Sequence, residues 1–247
     1  TIKKEPSGRW FASVCEERNI TVPKQNIRNV VGIDLGTIDI IYDSEGNNIT
    51  NPRHLNKKAD KLAYLQRRMS KKQKKSSNKN RWRIKLARQY EKLTNTRNDF
   101  LHKLSRVYVN NFDAIGVEDM DITKMIHGNL SKSILDAGWG QLRQYMAYKA
   151  ENAGKWYIPV DYRGTTIRCH KCGADNPKEL SEREHNCWNC EIIIPRDYNS
   201  ALEIKRLCLE KIRQELPEST HPEMEALPDW QLPSVKDEAY SKTSVLV

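Results

Sequence analysis

Residues 30–36 read Val-Val-Gly-Ile-Asp-Leu-Gly, and the interpretation of the fold starts from this stretch. A short apolar run bounded by a glycine turn is typical of a buried strand. Ala-Ile-Gly-Val-Glu at 114–118 repeats the pattern, and it predicts a second buried strand. The remaining apolar periodicity predicts further elements, namely a strand at 8–14, a hairpin at 38–50, a helix at 137–153, a strand at 156–160 and a helix at 198–216.

Each of the two buried strands ends in a carboxylate, Asp34 or Glu118, and Asp197 stands at the start of the last predicted helix. Taken singly, Asp34 fits a turn former, Glu118 a solvated strand end and Asp197 a helix cap. Taken together, the three acids can converge on one edge of a sheet, where they repel each other unless cations neutralise them. Mg²⁺ prefers oxygen ligands, and two such ions about 3.5–4 Å apart promote the cleavage of phosphodiesters.

Four of the six cysteines follow the pattern C-x2-C, 14 intervening residues, C-x2-C, and they are Cys169, Cys172, Cys187 and Cys190. Each C-x2-C knuckle directs two thiolates at one point. Two knuckles complete the tetrahedral sulfur site of structural zinc. Disulfides and an iron–sulfur site are the alternatives.

The neighbours of these cysteines have less specific interpretations. We expect His170 and His185 to make surface contacts, since four thiolates complete the site without them. Trp188 either stacks on a base or packs over the knuckle. Cys15 and Cys208 have no partner by spacing, and we expect them to be small buried apolar residues.

The formal net charge is +10, and one segment carries all of the basic excess. Between Arg53 and Arg106 lie 19 Lys and Arg residues against three acidic ones. The apolar seams of this segment predict two amphipathic helices. The stretch 70–79 between them is too polar to pack, and we expect it to form the mobile tip of a helical hairpin. Such a segment points to a nucleic-acid partner, and a solvated helical face is the alternative. The expected phosphate contacts are Arg67, Arg68, Lys71, Lys72, Lys74, Lys75, Lys79, Arg81 and Arg83.

From Pro217 onward the composition changes, since four of the ten prolines occur there with no glycine and an acidic lean. This segment is expected to be a weakly ordered tail, or else to wrap the domain through Trp230 and Leu232. No apolar run in the chain approaches the roughly 18 residues of a membrane span, and no secretory leader is visible. We therefore expect no membrane partner.

Three segments resemble the acidic motifs of the RuvC-like nuclease domain in TnpB/OrfB proteins of insertion sequences, which are relatives of the miniature type V CRISPR effectors. They are VGIDLG at 31–36, IGVEDM at 115–120 and RDYNSA at 196–201. Other segments fall in the order of that family, namely GRWF at 8–11, the basic hairpin, LSKSILDAGWG at 130–140, YKAE at 148–151, VDYRGTT at 160–166 and CHKCG at 169–173. The resemblance covers about residues 8–207.

The resemblance implies an α/β fold with an RNase H-like (RuvC-like) mixed sheet, an inserted basic helical hairpin and an inserted zinc ribbon. It also implies a metal-dependent DNA endonuclease that is guided by RNA and hydrolyses phosphodiester bonds by a two-metal mechanism. Asp34, Glu118 and Asp197 are then the catalytic acids that bind Mg²⁺ or Mn²⁺, and the four cysteines hold structural Zn²⁺. DNA is the expected substrate, and guide RNA is the expected partner.

The family carries a long N-terminal portion that grips guide RNA, whereas this chain starts just before the nuclease domain, so we expect guide RNA to bind through a portion that lies upstream. We expect a cytoplasmic monomer or dimer, associated with the nucleoid in a prokaryotic host. A non-catalytic TnpB-like regulator that binds nucleic acid is the alternative. All three acids are present, which favours the enzyme.

The chain departs from the family pattern at Glu191, where Gly is usual, at Pro195, where Asp is frequent, and at Ser200, where Ala is usual. None of these departures removes a catalytic acid. The expected organisation is the end of a preceding β domain or a linker at 1–27, a RuvC-like nuclease domain at 28–164 with its helical hairpin at 55–109, a zinc ribbon that binds target nucleic acid at 165–195, the last RuvC-like segment at 196–216, and an acidic proline-containing tail at 217–247.

Overall fold

The computed structural model describes residues 1–16, 26–125, 127–128, 131–179 and 181–215. The strands of these residues are β1 (Ile2–Lys4), β2 (Trp10–Ala12), β3 (Val30–Asp34), β4 (Asp39–Asp43), β5 (Asn48–Thr50), β6 (Ala114–Glu118), β7 (Trp156–Val160), β8 (Glu184–Asn186) and β9 (Ile193–Pro195). The α-helices are α1 (Ala59–Ser70), α2 (Ser77–Asn111), α3 (Ile122–Met125), α4 (Ser131–Ala137), α5 (Trp139–Asn152) and α6 (Arg196–Glu215). The described part of the chain divides into two compact units, which are residues 1–16 with 52–102 and residues 26–51 with the described residues between 103 and 215.

The larger unit is built on a five-stranded mixed sheet with the order β5-β4-β3-β6-β7. The β3–β4 and β4–β5 pairs are antiparallel, whereas β3, β6 and β7 run parallel to one another. Both β3 and β6 are buried along their length, except that Asp34 is partly exposed. Parallel strands in the middle of a sheet are covered on both faces, which explains their continuous apolar runs. The predicted buried strands and the mixed α/β class are confirmed.

Helix α6 lies directly against the backbone of two neighbouring strands. Gly32 in β3 and Gly116 in β6 are register partners. A Cβ atom at Gly32 would lie 2.2 Å from the carbonyl oxygen of Ala201, and one at Gly116 would lie 2.8 Å from the Cβ of Cys208. The paired glycines thus form a notch, here called the glycine notch, in which α6 rests. The hydrophobic core formed by α6 and the residues that it covers consists of Ile27, Val30, Ala114, Ile158, Val160, Ile204, Cys208, Leu209 and Ile212.

The smaller unit contains the antiparallel β1–β2 pair, α1 and the part of α2 up to residue 102. Leu62, Leu65 and Leu86 are buried between α1 and α2, as the apolar seam predicts. The polar tip is shorter than predicted, because α2 already begins at Ser77. The hydroxyl of Ser76 accepts a hydrogen bond from the backbone N–H of Lys79 at 3.1 Å, which is the arrangement of a helix N-cap.

Three other differences from the sequence expectations concern element ends and short strands. Helix α5 begins at Trp139, because Gly138 takes a left-handed conformation with a φ of 72°. Helix α6 begins at Arg196, two residues earlier than expected. Strands β8 and β9 were not expected, and they form a small antiparallel sheet between residues 184 and 195.

The expected tail at 217–247 lies outside the described residues. Among the helices that are described, none combines the length and the apolar composition that crossing a bilayer requires.

Candidate active site and cysteine cluster

Asp34 and Glu118 occupy equivalent positions at the carboxyl ends of neighbouring parallel strands. The β3–β6 register pairs Gly32 with Gly116 and Ile33 with Val117, and one further step brings Asp34 beside Glu118. Side chains alternate along a strand, so both carboxylates lie on the face that the glycine notch presents to α6. The sequence predicted this edge of the sheet as the meeting point of the acids.

Asp197 lies in the first turn of α6. Since that helix begins at Arg196, the interpretation of Asp197 as its N-cap is wrong. Its carboxylate accepts a hydrogen bond of 3.3 Å from Nε of Arg196 and is about one-third exposed. Helix α6 runs over Gly32 one turn after Asp197, so the start of the helix lies at the edge of the sheet where β3 ends.

The electrostatics show that Asp34 interacts with both of the other acids. Burial raises the pKa of Asp34 well above its ordinary value, and the neighbouring charges of Glu118 and Asp197 raise it further, while Arg196 offsets part of the effect. Burial also raises the pKa of Glu118. A carboxylate whose charged form is disfavoured by burial and by neighbouring negative charge is the kind of group that a divalent cation stabilises in the charged form.

Glu118 is buried and has two neighbours that sequence reasoning missed. The hydroxyl of Thr165 donates a hydrogen bond to Oε1 of Glu118 at 2.5 Å. The guanidinium of Arg143 lowers the pKa of Glu118 and donates hydrogen bonds to Oδ1 of Asp119 at 2.7 Å and to the carbonyl of Met120 at 2.8 Å. No spacing of residues in the sequence predicts either contact. The one sequence feature that included Thr165 was the VDYRGTT segment at 160–166, which resembles the family.

The four cysteines that the sequence singled out are brought together. Their sulfur atoms all lie within 4.8 Å of one another. The Sγ atoms are 3.6 Å apart between Cys169 and Cys190, and 3.5 Å apart between Cys172 and Cys187. A disulfide requires about 2.05 Å, so these sulfurs are not bonded. Tetrahedral zinc with Zn–S bonds of about 2.3 Å separates its sulfurs by about 3.8 Å, and the arrangement fits that ion.

The knuckle backbone favours the thiolate form of Cys187. Burial alone would raise its pKa, but backbone N–H groups of Cys190 and Asn189 outweigh burial, and the pKa of Cys187 falls to about 6. Within the described ranges 1–16, 26–125, 127–128, 131–179 and 181–215, the cysteines are the one group of three or more Cys, His, Asp and Glu residues gathered this tightly. The three carboxylates are therefore spaced more widely than the thiolates.

The first knuckle is fastened to the start of α6. Oδ1 of Asn199 accepts a hydrogen bond of 3.1 Å from the backbone N–H of His170 and lies 3.0 Å from its Nδ1. Nδ2 of Asn199 donates to the carbonyl of Arg168 at 2.8 Å. His170 and His185 are both buried, so the expectation of surface contacts is wrong for both. Because both imidazoles are buried, they are not available to a ligand on the surface of the cysteine segment.

The sequence expectations for Trp188, Cys208 and Cys15 can also be compared with the structure. Trp188 is 73% exposed, and its Nε1 donates to the carbonyl of Asp175 at 3.1 Å, so the ring does not pack over the knuckle. Cys208 lies on the buried face of α6, as expected, whereas Cys15 is exposed and the expectation of burial is wrong there.

The nine basic residues expected to contact phosphate all lie between the last turn of α1 and the first two turns of α2. Seven of the nine are exposed, and Lys72 and Lys79 are half-buried. Lys75, Lys79 and Arg83 line a cavity of about 460 Å³ beside the start of α2. Beside the tip, the guanidinium of Arg68 lies 5.3 Å from the ring centre of Trp82. This surface carries concentrated positive charge beside an aromatic ring.

The chain is similar to transposon-encoded proteins and to proteins that are named RNA-guided DNA endonucleases. Residues 12–128 match the family model OrfB_IS605, described as a probable transposase, and residues 139–204 match the model of the Cas12f1-like TNB domain. A protein of Streptomyces pristinaespiralis named "Putative RNA-guided DNA endonuclease" is 35% identical over 207 residues, which are 83% of this chain and 51% of that protein. The "Putative RNA-guided DNA endonuclease InsQ" of Escherichia coli is 29% identical and is matched over 80% of this chain and 53% of its own length.

Solved structures of low sequence identity share the fold. A Cas12f1–sgRNA–target DNA complex contains a chain that superimposes with a TM-score of 0.54 at 18% identity, over 75% of this chain and 51% of that one. A CRISPR-Cas12f ternary complex gives a TM-score of 0.53 at 18% identity, over 77% of this chain and 40% of that one. The chain spans about half the length of the curated relatives it matches.

Proposed function

Because the chain belongs to the TnpB/OrfB family of insertion-sequence proteins, we propose that it forms the nuclease half of an RNA-guided DNA endonuclease. The observation that carries the proposal is the adjacent placement of Asp34 and Glu118 at the ends of two parallel strands, with Asp197 on the helix that covers them. Three interacting carboxylates at one sheet edge fit a site for phosphodiester hydrolysis.

Asp34, Glu118 and Asp197 are the residues that would hold Mg²⁺ or Mn²⁺. Two such ions supply an activated water and stabilise the leaving oxygen of the phosphodiester. The protein's own part is to keep the three carboxylates close together despite their repulsion. It does so through the glycine notch, which seats α6, and through the hydrogen bond from Thr165 to Glu118.

The remaining parts of the proposal follow from the same family. The mixed sheet with α6 on one face is an RNase H-like, RuvC-like domain, and the cysteine segment is a zinc ribbon that binds target nucleic acid, with the boundaries given above. The Cys169, Cys172, Cys187 and Cys190 thiolates would hold Zn²⁺. Zinc there has a structural role, because four protein ligands leave no open position for substrate.

The basic residues from Arg67 to Arg83 would hold the sugar–phosphate backbone of DNA or of guide RNA. Contacts of this kind give affinity without sequence preference, so they suit a protein whose target is chosen by base pairing. Selection of a target through guide RNA is proposed for the longer protein of which such a chain forms half.

The test is metal-dependent cleavage of single-stranded DNA by the 247-residue chain. We expect cleavage with Mg²⁺ or Mn²⁺ and a loss of at least about 100-fold in Asp34→Asn, because the change removes one ligand charge and keeps the volume. Glu151→Gln is the matched control, since Glu151 is exposed on α5, before the start of β7 and therefore towards the opposite edge of the sheet.

Equal activity in Asp34→Asn and the native chain would overturn the proposed site. Metal-independent DNA binding with no cleavage by any preparation would favour the non-catalytic regulator instead.

A further inference from the structure

Residues 162–170 contact two of the three elements that carry the candidate catalytic acids, namely β6 and α6. At one end of this segment, the Thr165 side chain is 1% exposed and its oxygen lies 2.5 Å from Oε1 of Glu118 and 2.9 Å from the carbonyl of Tyr162. A hydroxyl has a single proton to donate, and a carboxylate is a stronger acceptor than a carbonyl. A separation of 2.5 Å is typical of an O–H group that donates to a charged oxygen.

At the other end, the segment is held by α6. Asn199 accepts from the backbone N–H of His170 and donates to the carbonyl of Arg168, and its side chain is fully buried. Asn199 lies two residues after Asp197 on the same helix. The segment therefore connects Glu118 to the turn of α6 that carries Asp197, and it leads into the first knuckle at Cys169.

We propose that Thr165 is a positioning residue for Glu118, and that the cysteine ribbon, anchored through Asn199, holds this hydroxyl in place. The inference rests on the proposed function, since it deepens the account of the same site. Three side-chain torsions separate the carboxylate of a glutamate from its backbone. Fixing the backbone of Glu118 in β6 therefore does not fix the orientation of its carboxylate. The Thr165 hydroxyl fixes one oxygen and leaves Oε2 for a cation.

A role in core packing alone makes a different prediction. If Thr165 only filled space, Thr165→Val would be a good replacement, because valine has the same shape without the hydroxyl. If Thr165 orients Glu118, valine keeps the packing and loses the function, while Thr165→Ser loses a methyl group and keeps the function. The two substitutions therefore separate packing from positioning.

The test measures Mn²⁺ binding to the full zinc-loaded chain by electron paramagnetic resonance or calorimetry, alongside thermal unfolding. We expect Thr165→Val to weaken Mn²⁺ binding by about 10- to 100-fold, as is typical when a partner that orients a metal ligand is removed. Thr165→Ser should bind Mn²⁺ nearly as the native chain does. Thr166→Val is the matched control, since Thr166 is the adjacent residue and is exposed. It should bind Mn²⁺ as the native chain does.

Native affinity in a folded Thr165→Val chain overturns the inference, and so does a Ser variant as weak as the Val variant. If the Val variant does not fold, Thr165→Ala gives the same comparison without placing a methyl group against the carboxylate. If the native chain binds no Mn²⁺, or if Asp34→Asn binds it equally well, the proposed function fails and the inference fails with it. A loss in Asp34→Asn without a loss in Thr165→Val refutes only the inference.

Discussion

Gly32 and Gly116 lie opposite each other in adjacent parallel strands, and together they let α6 approach the sheet at backbone distance. The contact is closest at Gly32, where a Cβ would meet the carbonyl of Ala201 at 2.2 Å and the backbone nitrogen of Lys205 at 2.4 Å. Backbone atoms in a buried helix cannot move aside as a flexible side chain can. The position of α6, and with it that of Asp197, depends on these two missing side chains.

Gly32→Ala should displace α6 and lower the free energy of unfolding by about 1–3 kcal/mol, the usual cost of overpacking a core. Gly140→Ala is the control. Gly140 lies in α5, and a Cβ there would make an ordinary contact of 3.8 Å with Ile122, so the change should stabilise the chain by about 0.5–1 kcal/mol. Urea denaturation of both variants measures the difference. A Gly32→Ala chain as stable as the native one would show that α6 is not seated by the glycine notch.

Asp34→Asn should raise the stability of the metal-free protein at neutral pH. The native state raises the pKa of Asp34, so it binds this proton more tightly than the unfolded chain does. The free energy of unfolding therefore falls as the pH rises from the ordinary carboxyl range through the raised pKa. Urea midpoints measured between about pH 4 and pH 8 should fall for the native chain and fall less for Asp34→Asn. Added Mg²⁺ should stabilise the native chain and not the variant. Parallel curves for the two proteins would contradict the prediction.

Cys187→Ser should abolish stoichiometric zinc binding and unfold the segment between residues 165 and 195, while the five-stranded sheet stays folded. The segment has few buried apolar residues of its own, so its folding depends on the metal. Elemental analysis gives the zinc content, and hydrogen exchange locates the unfolded residues. Cys15→Ser is the control, because Cys15 is exposed and far along the chain from the cluster. A variant that retains one zinc per chain would show that three thiolates suffice.

Glu191→Gly should stabilise the second knuckle by about 1 kcal/mol. Glu191 has a φ of 58°, which lies in the left-handed region. A residue with a Cβ atom is destabilised there by roughly 1–2 kcal/mol, whereas glycine has no Cβ and avoids this steric cost. Resistance of the zinc to a chelator measures the gain. Glu191→Gln removes the charge and keeps the strained conformation, so it should behave as the native chain does. An equal gain in the Gln variant would assign the effect to charge.

Replacing Lys71, Lys72, Lys74 and Lys75 together by Gln should weaken binding to single-stranded DNA equally for unrelated sequences. Each phosphate contact contributes about 0.7 to the slope of log affinity against log salt, so the slope should become shallower by up to about 3. Fluorescence anisotropy over a series of salt concentrations gives the slope. An unchanged slope would show that these lysines form a solvated helical face.

The elements that could be predicted from the sequence are those with a periodic pattern of apolar residues or a continuous apolar run. The continuous apolar runs of β3 and β6 and the alternating apolar seam around Leu86 are of this kind. The start of α2 was missed because its first turn, residues 77–80, is polar on every side, and the N-cap at Ser76 was the one local signal. Strands β8 and β9 were missed because each is only three residues long, which is too short for a periodic pattern to identify a strand.

At the candidate site, the three acids and four cysteines could be picked out because spacing and strand ends mark them. Thr165, Arg143 and Asn199 could not, because each acts through one contact with a residue distant in the chain, and no local pattern encodes such a contact. His170 and His185 were misjudged for a related reason. A buried histidine looks polar in the sequence, and the hydrogen bond from His170 to Asn199 becomes visible only in the fold.

Because Asp197 lies on α6, the last described helix of the chain, the set of three acids is completed late in synthesis. The ribosome delivers Asp34 first, Glu118 next and Asp197 last, and the glycine notch in which α6 rests is formed by β3 and β6 together. Contacts between such distant segments form late in folding, since the loops between them must close first. A nascent chain therefore holds no complete set of acids until residues 196–215 have emerged, and synthesis itself delays the assembly of the site.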